Sequence, residues 1–288
     1  MAPAASFRAG LVQMCSGRDV ERNLADASVL IREAAAGGAN YVQTPEFTTV
    51  MEMSSAKLFA ATRPEQGNPA VAHFSALARE LGIWLHIGSM GVLLDSGKIA
   101  NRSLLFDATG AVAGRYDKIH MFDAVLGGGE SYRESKNFEA GSKAVAAQSP
   151  WGMLGLTVCY DLRFPGLYRA LAKAGAIILT VPSAFTRQTG EAHWHTLLRA
   201  RAIETGSYVL AAAQGGNHES GRETFGHSLA VAPWGEIIAE GGIQPSVIFA
   251  DIDCGKVADA RRRMPSLEHD RPFDIVRAGC QEEVATAR

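Results

Sequence analysis

Between residues 7 and 94 the hydrophobic pattern switches repeatedly between a period of two and a helical period, so strands and helices must alternate along the chain. Phe7 to Met14 reads as a short strand. A helix follows from about Asp19, because Val20, Leu24, Ala27, Ile31 and Ala34 share one face and Gly37-Gly38 ends the run. Tyr41 to Thr44 is a second strand, closing on Pro45-Glu46-Phe47. A second amphipathic helix spans 69–81, with Pro69 at its start, Phe74, Leu77 and Ala78 on its apolar side and Gly82 beyond its end. Ile83 to Leu94 is a continuous apolar strand, and 101–106 with 111–116 reads as a hairpin. Further strands are expected at 176–181, 208–213, 228–232, 236–239 and 247–252, with helices over 167–174, about 190–205 and 255–263. Alternation early and strand after strand late predict an α/β layered fold with a mixed sheet. The two halves hold strand and helix pairs of similar length, but no period is strong enough to define a repeat.

The chain of 288 residues is long enough to bury a large core, and no linker or charge block divides it, so one domain is expected over 1–288, with a tail from about 264. A net charge of -2 with interspersed signs gives no footprint for nucleic acid or an anionic membrane and favours a small substrate. No apolar run approaches the roughly 20 residues of a membrane helix. Cys15, Cys159, Cys254 and Cys280 lie far apart without a CxxC pair, which fits a reducing cytoplasm and implies no metal cluster. His193 and His195 flank Trp194, but on a helix their rings diverge by about 200°, so they are expected to pack or to edge a pocket. Gly127-Gly128-Gly129 lacks the Lys-Ser/Thr of a phosphate loop.

Chemistry is expected at residues 154–165. The apolar run Leu154, Leu156, Val158 delivers Cys159 to an abrupt polar boundary, Tyr160-Asp161, ahead of Pro165-Gly166 and a helix. A thiol on such a strand-to-helix turn stands beside backbone N–H groups able to bind a developing oxyanion. Glu46 and Lys118 also stand at strand ends. Each of the three alone is weak, since lone cysteines are mostly buried packing and lysines and glutamates mostly surface groups.

Together they form a pattern. Thr44-Pro45-Glu46, Tyr116-Asp117-Lys118-Ile119-His120-Met121-Phe122-Asp123 and Val158-Cys159-Tyr160-Asp161-Leu162-Arg163-Phe164-Pro165 resemble, in order and spacing, the Glu-Lys-Cys signature of the nitrilase, or carbon-nitrogen hydrolase, superfamily, over roughly residues 7–275. The resemblance implies a four-layer α-β-β-α sandwich with mixed sheets, Cys159 as nucleophile, Glu46 as base, and Lys118 with the Tyr160 N–H at the oxyanion. It also implies an assisting Glu134, with Glu130 the less suited neighbour, no metal or organic cofactor, and a homodimer or higher homo-oligomer.

Phe122-Asp123 is followed by Ala-Val-Leu-Gly-Gly-Gly, where the family more often has a Pro-Gly loop. Within the superfamily, 159–165, 182–186, 192–205, 211–214 and 225–235 resemble the branch of deaminated glutathione amidases, which release 2-oxoglutarate and Cys-Gly. The ω-amidases, acting on 2-oxoglutaramate, share the acyl half, and nitrile or N-carbamoyl hydrolysis and a non-catalytic scaffold are the other readings. Arg163 is expected either to grip a substrate carboxylate or to pair with Asp161. Ser183, Phe185, Thr186, Glu191 and Trp194 are expected to line the substrate site.

An ordinary thiol is only about 3 % ionised at pH 7, and a carboxylate ~4 units more acidic makes a base at a cost on the order of 6 kcal/mol. Burial and the like charge of Glu134 are expected to raise Glu46, and the Lys118 ammonium to lower Cys159; the lysine also lowers Glu46, so the three titrate as a coupled set.

Overall fold

The structure, a computed structural model, describes residues 5–276. The first half runs β1 (Ser6–Gln13), α1 (Val20–Ala36), β2 (Tyr41–Gln43), α2 (Ser55–Ala61), α3 (Pro69–Leu81), β3 (Trp84–Leu93), β4 (Ile99–Phe106) and β5 (Val112–Asp117). A small hairpin, β6 (Asp123–Val125) and β7 (Ser131–Arg133), leads to β8 (Val145–Ser149), β9 (Gly152–Leu156), α4 (Pro165–Lys173), β10 (Ala176–Thr180), α5 (Arg187–Thr205) and β11 (Tyr208–Ala211). A second hairpin, β12 (Gly215–Asn217) and β13 (Glu223–Phe225), precedes β14 (Leu229–Val231), β15 (Ile237–Glu240), β16 (Ser246–Asp253) and α6 (Gly255–Arg263). The expected elements are present, and the short α2, β6, β7, β8, β12 and β13 add to them. Cys280 lies outside the described residues.

Two six-stranded mixed sheets form, ordered β16-β1-β2-β3-β4-β5 and β15-β14-β11-β10-β9-β8. In the first, β1, β2 and β3 are parallel, β4 and β5 follow antiparallel, and β16 flanks β1 antiparallel. The second copies this plan with β9, β10 and β11 parallel, β14 and β15 antiparallel, and β8 flanking β9. Each sheet is therefore one topological unit, a plan repeated in arrangement and hidden from the residues.

The side-chain period of two explains the layers. Phe7, Ala9 and Leu11 of β1, Tyr41 of β2 and Leu105 of β4 join Leu154, Leu156 and Ile178 of the other sheet in one core. Their neighbours Val12, Val42, Leu104 and Phe106 turn outward onto Ala27, Ile31 and Ala34 of α1 and Phe74, Leu77 and Ala78 of α3. Helices α4 and α5 cover the far face of the second sheet through Leu171, Leu198 and Ala202. The result is the expected α-β-β-α sandwich.

Local signals act as read. Asp19 caps α1 by accepting from Arg22 N at 3.1 Å. Asn68 caps α3, Pro69 opens it, and Gly82 closes it in the left-handed conformation. One expected contact differs, because Asn23 rather than Leu24 is fully buried on α1, its amide donating to Gly17 O and Thr49 O. No helix among the described residues is long and apolar enough to cross a membrane.

The inter-sheet core also encloses His86, bonded to the Tyr41 hydroxyl at 2.8 Å and the Ser103 hydroxyl at 2.6 Å. Burial holds its pKa down at about 3. The unfolded chain takes up a proton near pH 6.5 that the folded chain refuses until about pH 3, so stability falls as pH drops through that window. His86 is expected to contribute a slope approaching ~1.4 kcal/mol per pH unit there, and urea unfolding of native and His86→Gln protein between pH 7 and 4 measures the difference in slope.

Candidate active site

Strand ends build the site. Strands β2 and β5 point the same way in the first sheet, and β9 delivers its own end from the second. Glu46 follows β2 in a turn where Phe47 is left-handed (φ 56°) and the Thr48 hydroxyl donates to Pro45 O at 2.7 Å. Lys118 follows β5, its N–H donating to Asn101 O at 3.0 Å.

Cys159 sits on a sharp elbow with φ 51°, a strained value for a residue with a side chain. Buried Asp161 holds the elbow. One of its oxygens accepts from Val158 N (2.9 Å) and the Tyr116 hydroxyl (2.7 Å), the other from His120 N (3.1 Å). The Cys159 N–H donates to Pro182 O at 2.9 Å and the Asp161 N–H to Val158 O. That leaves the Tyr160 N–H, at the second position of the short helix Cys159–Arg163, without a partner in its own helix.

Around the sulfur the three motifs meet. Lys118 Nζ lies 2.9 Å from Glu46 Oε1 and 3.0 and 2.8 Å from the two oxygens of Glu134. Glu46 Oε2 accepts from Ala184 N at 2.9 Å, and Glu46 borders the same cavity as the Cys159 thiol. Lys118 and Glu46 are each only 1 % exposed, so water screens neither. Glu134 also accepts from Phe122 N, whereas Glu130 stays outside, exposed, with the Tyr132 hydroxyl at 3.2 Å. Asn101, which the sequence reading passed over, donates through Nδ2 to Glu46 and Glu134 at 3.0 Å each. It locks the carboxylates to one another.

Electrostatics here corrects the expectation. Burial by itself raises the Glu46 pKa, but the charges of Lys118 and Arg222 and the hydrogen bond from Lys118 bring it below the ordinary carboxylate value. Burial and the Glu46 charge raise the Cys159 thiol, and Lys118 offsets them only in part. Lys118, despite burial, is held charged by Glu134 and Glu46. The resting site is thus an ionised Glu46 facing a neutral thiol.

A cavity of about 250 Å³ opens onto Cys159, Glu46, Lys118 and Glu134, with Met51, Tyr132 and Phe138 among its walls. On the other side of Cys159 a narrow lobe of about 10 Å³ is walled by Tyr160, Arg163, Phe185, Thr186 and Thr189. Arg163, Phe185 and Thr186 thus line the space beside Cys159. The alternative pairing of Arg163 with Asp161 does not form. Asp161 is taken by the elbow, and Arg163 lies over the Tyr160 and Phe185 rings, 3.3 Å from His193 Nδ1.

Three other expectations fail. Ser183 is fully buried and its hydroxyl donates to Val181 O, a strand-end bond. Glu191 turns outward and pairs with Arg187 at 2.9 Å. Trp194 packs behind Phe185, its N–H committed to His227 O at 2.8 Å. Arg222, from the turn between β12 and β13, is the second residue missed; it lines both lobes. Nothing in its local sequence distinguishes it from a surface arginine. His195 and His227 share one oxygen of Glu240, at 2.9 and 3.0 Å, and this potential three-ligand group lies away from both lobes.

Comparison with known proteins accords with this geometry. A family model described as carbon-nitrogen hydrolase matches residues 8–262. The chain belongs to the carbon-nitrogen hydrolase family. A deaminated glutathione amidase of Yersinia enterocolitica is 42 % identical over 91 % of this chain and 92 % of its own. The C. elegans NitFhit protein superposes with a TM-score of 0.87 at 35 % identity, over 93 % of this chain and 66 % of that longer one. An amidase from Nesterenkonia sp. AN1, in which acrylamide has added to the active site cysteine, gives a TM-score of 0.76 at 26 % identity over 90 % of this chain and 98 % of its own. The superfamily resemblance of the three motifs thus holds, and the chain is an amide-hydrolysing enzyme.

The convergence depends on Gly88 in β3, where a Cβ would stand 2.1 Å from Thr44 O and 2.4 Å from Pro182 Cβ, the two segments that carry Glu46 and Ala184. Gly88→Ala is expected to lower the melting temperature and amide hydrolysis together. Gly166→Ala, with nothing within 4 Å, is expected to change neither, and melts paired with an amidase assay compare the two.

Proposed function

We propose that this amidase acts through Cys159 as nucleophile, with Glu46 as general base, Lys118 and the Tyr160 N–H at the oxyanion, and Glu134 as the group that holds Lys118. We further propose that its substrate is deaminated glutathione, cleaved to 2-oxoglutarate and Cys-Gly. The observation that carries the chemistry is the meeting of Glu46, Lys118 and Glu134 beside one buried sulfur. For the substrate, the 36–42 % identical deaminated glutathione amidases supply the acyl group, and the cavity supports the leaving group. Ammonia is about as large as a water molecule, which needs roughly 10–15 Å³ of cavity, whereas the lobe beside Glu46 holds about 250 Å³.

The mechanism follows from the charge state. Because the thiol rests neutral, its proton passes to Glu46 as the sulfur bonds to the amide carbon, and no free thiolate accumulates. Negative charge builds on the amide oxygen, facing the Lys118 ammonium and the Tyr160 N–H, each donor worth roughly 3 to 4 kcal/mol in such a setting. Collapse expels the amine, which takes the proton from Glu46 and leaves a thioester on Cys159. Glu46 then takes a proton from water as its oxygen attacks the thioester, and the departing sulfur regains a proton to restore the thiol.

The reading includes one domain over 1–288 with a tail from about 264, supported by the core the two sheets share. It also includes a homodimer in the cytoplasm. The free thiols Cys15, Cys159 and Cys254 support the compartment, and sedimentation measures the oligomer.

Incubation with deaminated glutathione and with 2-oxoglutaramate, each with native protein and Cys159→Ala, tests the function. Cys-Gly is expected as the faster-formed product of the native protein, and none is expected from the variant. Ammonia as the only product would leave the ω-amidase reading in its place. The pH profile tests the chemistry. Since Glu46 is lowered and must be ionised to accept a proton, the acid limb of kcat/KM is expected below the ordinary carboxylate value of about 4.3. Since Cys159 is raised, no rise is expected near the ordinary thiol value of about 8.5; such a rise would show a free thiolate attacking.

A further inference from the structure

Arg222 reaches the cavity on the wall common to both lobes, and its donors are only partly used. Nη2 donates to Ala184 O at 2.5 Å and the guanidinium lies over the Tyr132 ring, 5.5 Å from its centre. The buried Nε has no hydrogen-bond partner, and no carboxylate among the described residues forms an ion pair with the group. An arginine with unused donors and no paired carboxylate is costly in a partly buried wall, and a ligand oxygen meeting the part of the guanidinium that faces the cavity lowers that cost. The other cations on the large lobe are differently placed. Lys118 is committed to Glu46 and Glu134, while Arg133 and Lys136 are exposed.

Which part of a substrate meets Arg222 follows from Glu46. It borders the large lobe and not the narrow one. As the donor of a proton to the departing nitrogen, it requires the leaving group on its own side, in the large lobe that Arg222 also lines. We propose that Arg222 binds the carboxylate of the departing peptide and makes a peptide, rather than ammonia, the preferred leaving group. A planar guanidinium backed by an aromatic ring presents its free edge to a carboxylate in the plane. This proposal rests on the deaminated glutathione reading above.

The test compares native protein, Arg222→Gln and Arg222→Lys on three substrates: deaminated glutathione, the same molecule with its terminal carboxylate converted to an amide, and 2-oxoglutaramate. The ratio of kcat/KM for deaminated glutathione to that for 2-oxoglutaramate is expected to fall roughly ten- to hundredfold in Arg222→Gln, chiefly through KM. The lysine variant, keeping the charge without the fork, is expected to lie between. The terminal amide is expected to show the same loss on native protein, with no further loss from Arg222→Gln.

An unchanged ratio overturns the proposal. So do equal losses on all three substrates, which would mean that Arg222 acts on the shared acyl half or through the protonation of Glu46. Native protein inactive on deaminated glutathione overturns the substrate reading itself, a result distinct from an active enzyme indifferent to Arg222.

Discussion

The ion cluster of Lys118 between Glu46 and Glu134 is the constraint on which the rest of the structure depends. Three charged groups withdrawn from water are costly unless each meets an opposite charge and a full set of hydrogen bonds. Here Lys118 contacts both carboxylates, Asn101 ties those carboxylates together, and the N–H groups of Ala184 and Phe122 complete them. These partners come from β4, from the ends of β2, β5 and β10, and from the loop around β6 and β7. The cluster can form only when both sheets are assembled face to face.

The same cluster explains why the thiol rests neutral. An ionised carboxylate beside a buried sulfur opposes a second negative charge, and the one ammonium is shared with two carboxylates already. A thiol kept neutral is shielded from adventitious oxidation and alkylation, since the thiolate is the reactive form. The strained backbone at Cys159 and the bonds from Val158, Tyr116 and His120 to Asp161 fix the direction in which the sulfur points.

What was legible in the chain was local. Apolar periodicity and the caps at Asp19, Asn68 and Gly82 act over a few residues, and the structure has the elements they predict. Cys159 was legible because an apolar strand ending on a polar turn is itself a local pattern. Ser183, Glu191 and Trp194 were misread because nearness to a motif says nothing of side-chain direction. Ser183 bonds back into its own strand end, and α5 turns Glu191 to solvent and Trp194 to the core. Arg222 and Asn101 left no trace, since an arginine in a turn and an asparagine in a strand acquire meaning only from what lies opposite.

The sequence by itself determined the order of strands and helices, the elbow at Cys159 and the candidate reacting groups, because these follow from side-chain type and short-range backbone geometry. Tertiary structure alone decided the protonation of those groups, the duplicated topology and the shape of the cavity. Burial, charge pairing and the stacking of two sheets are sums over residues distant in the chain, and no stretch of sequence contains them.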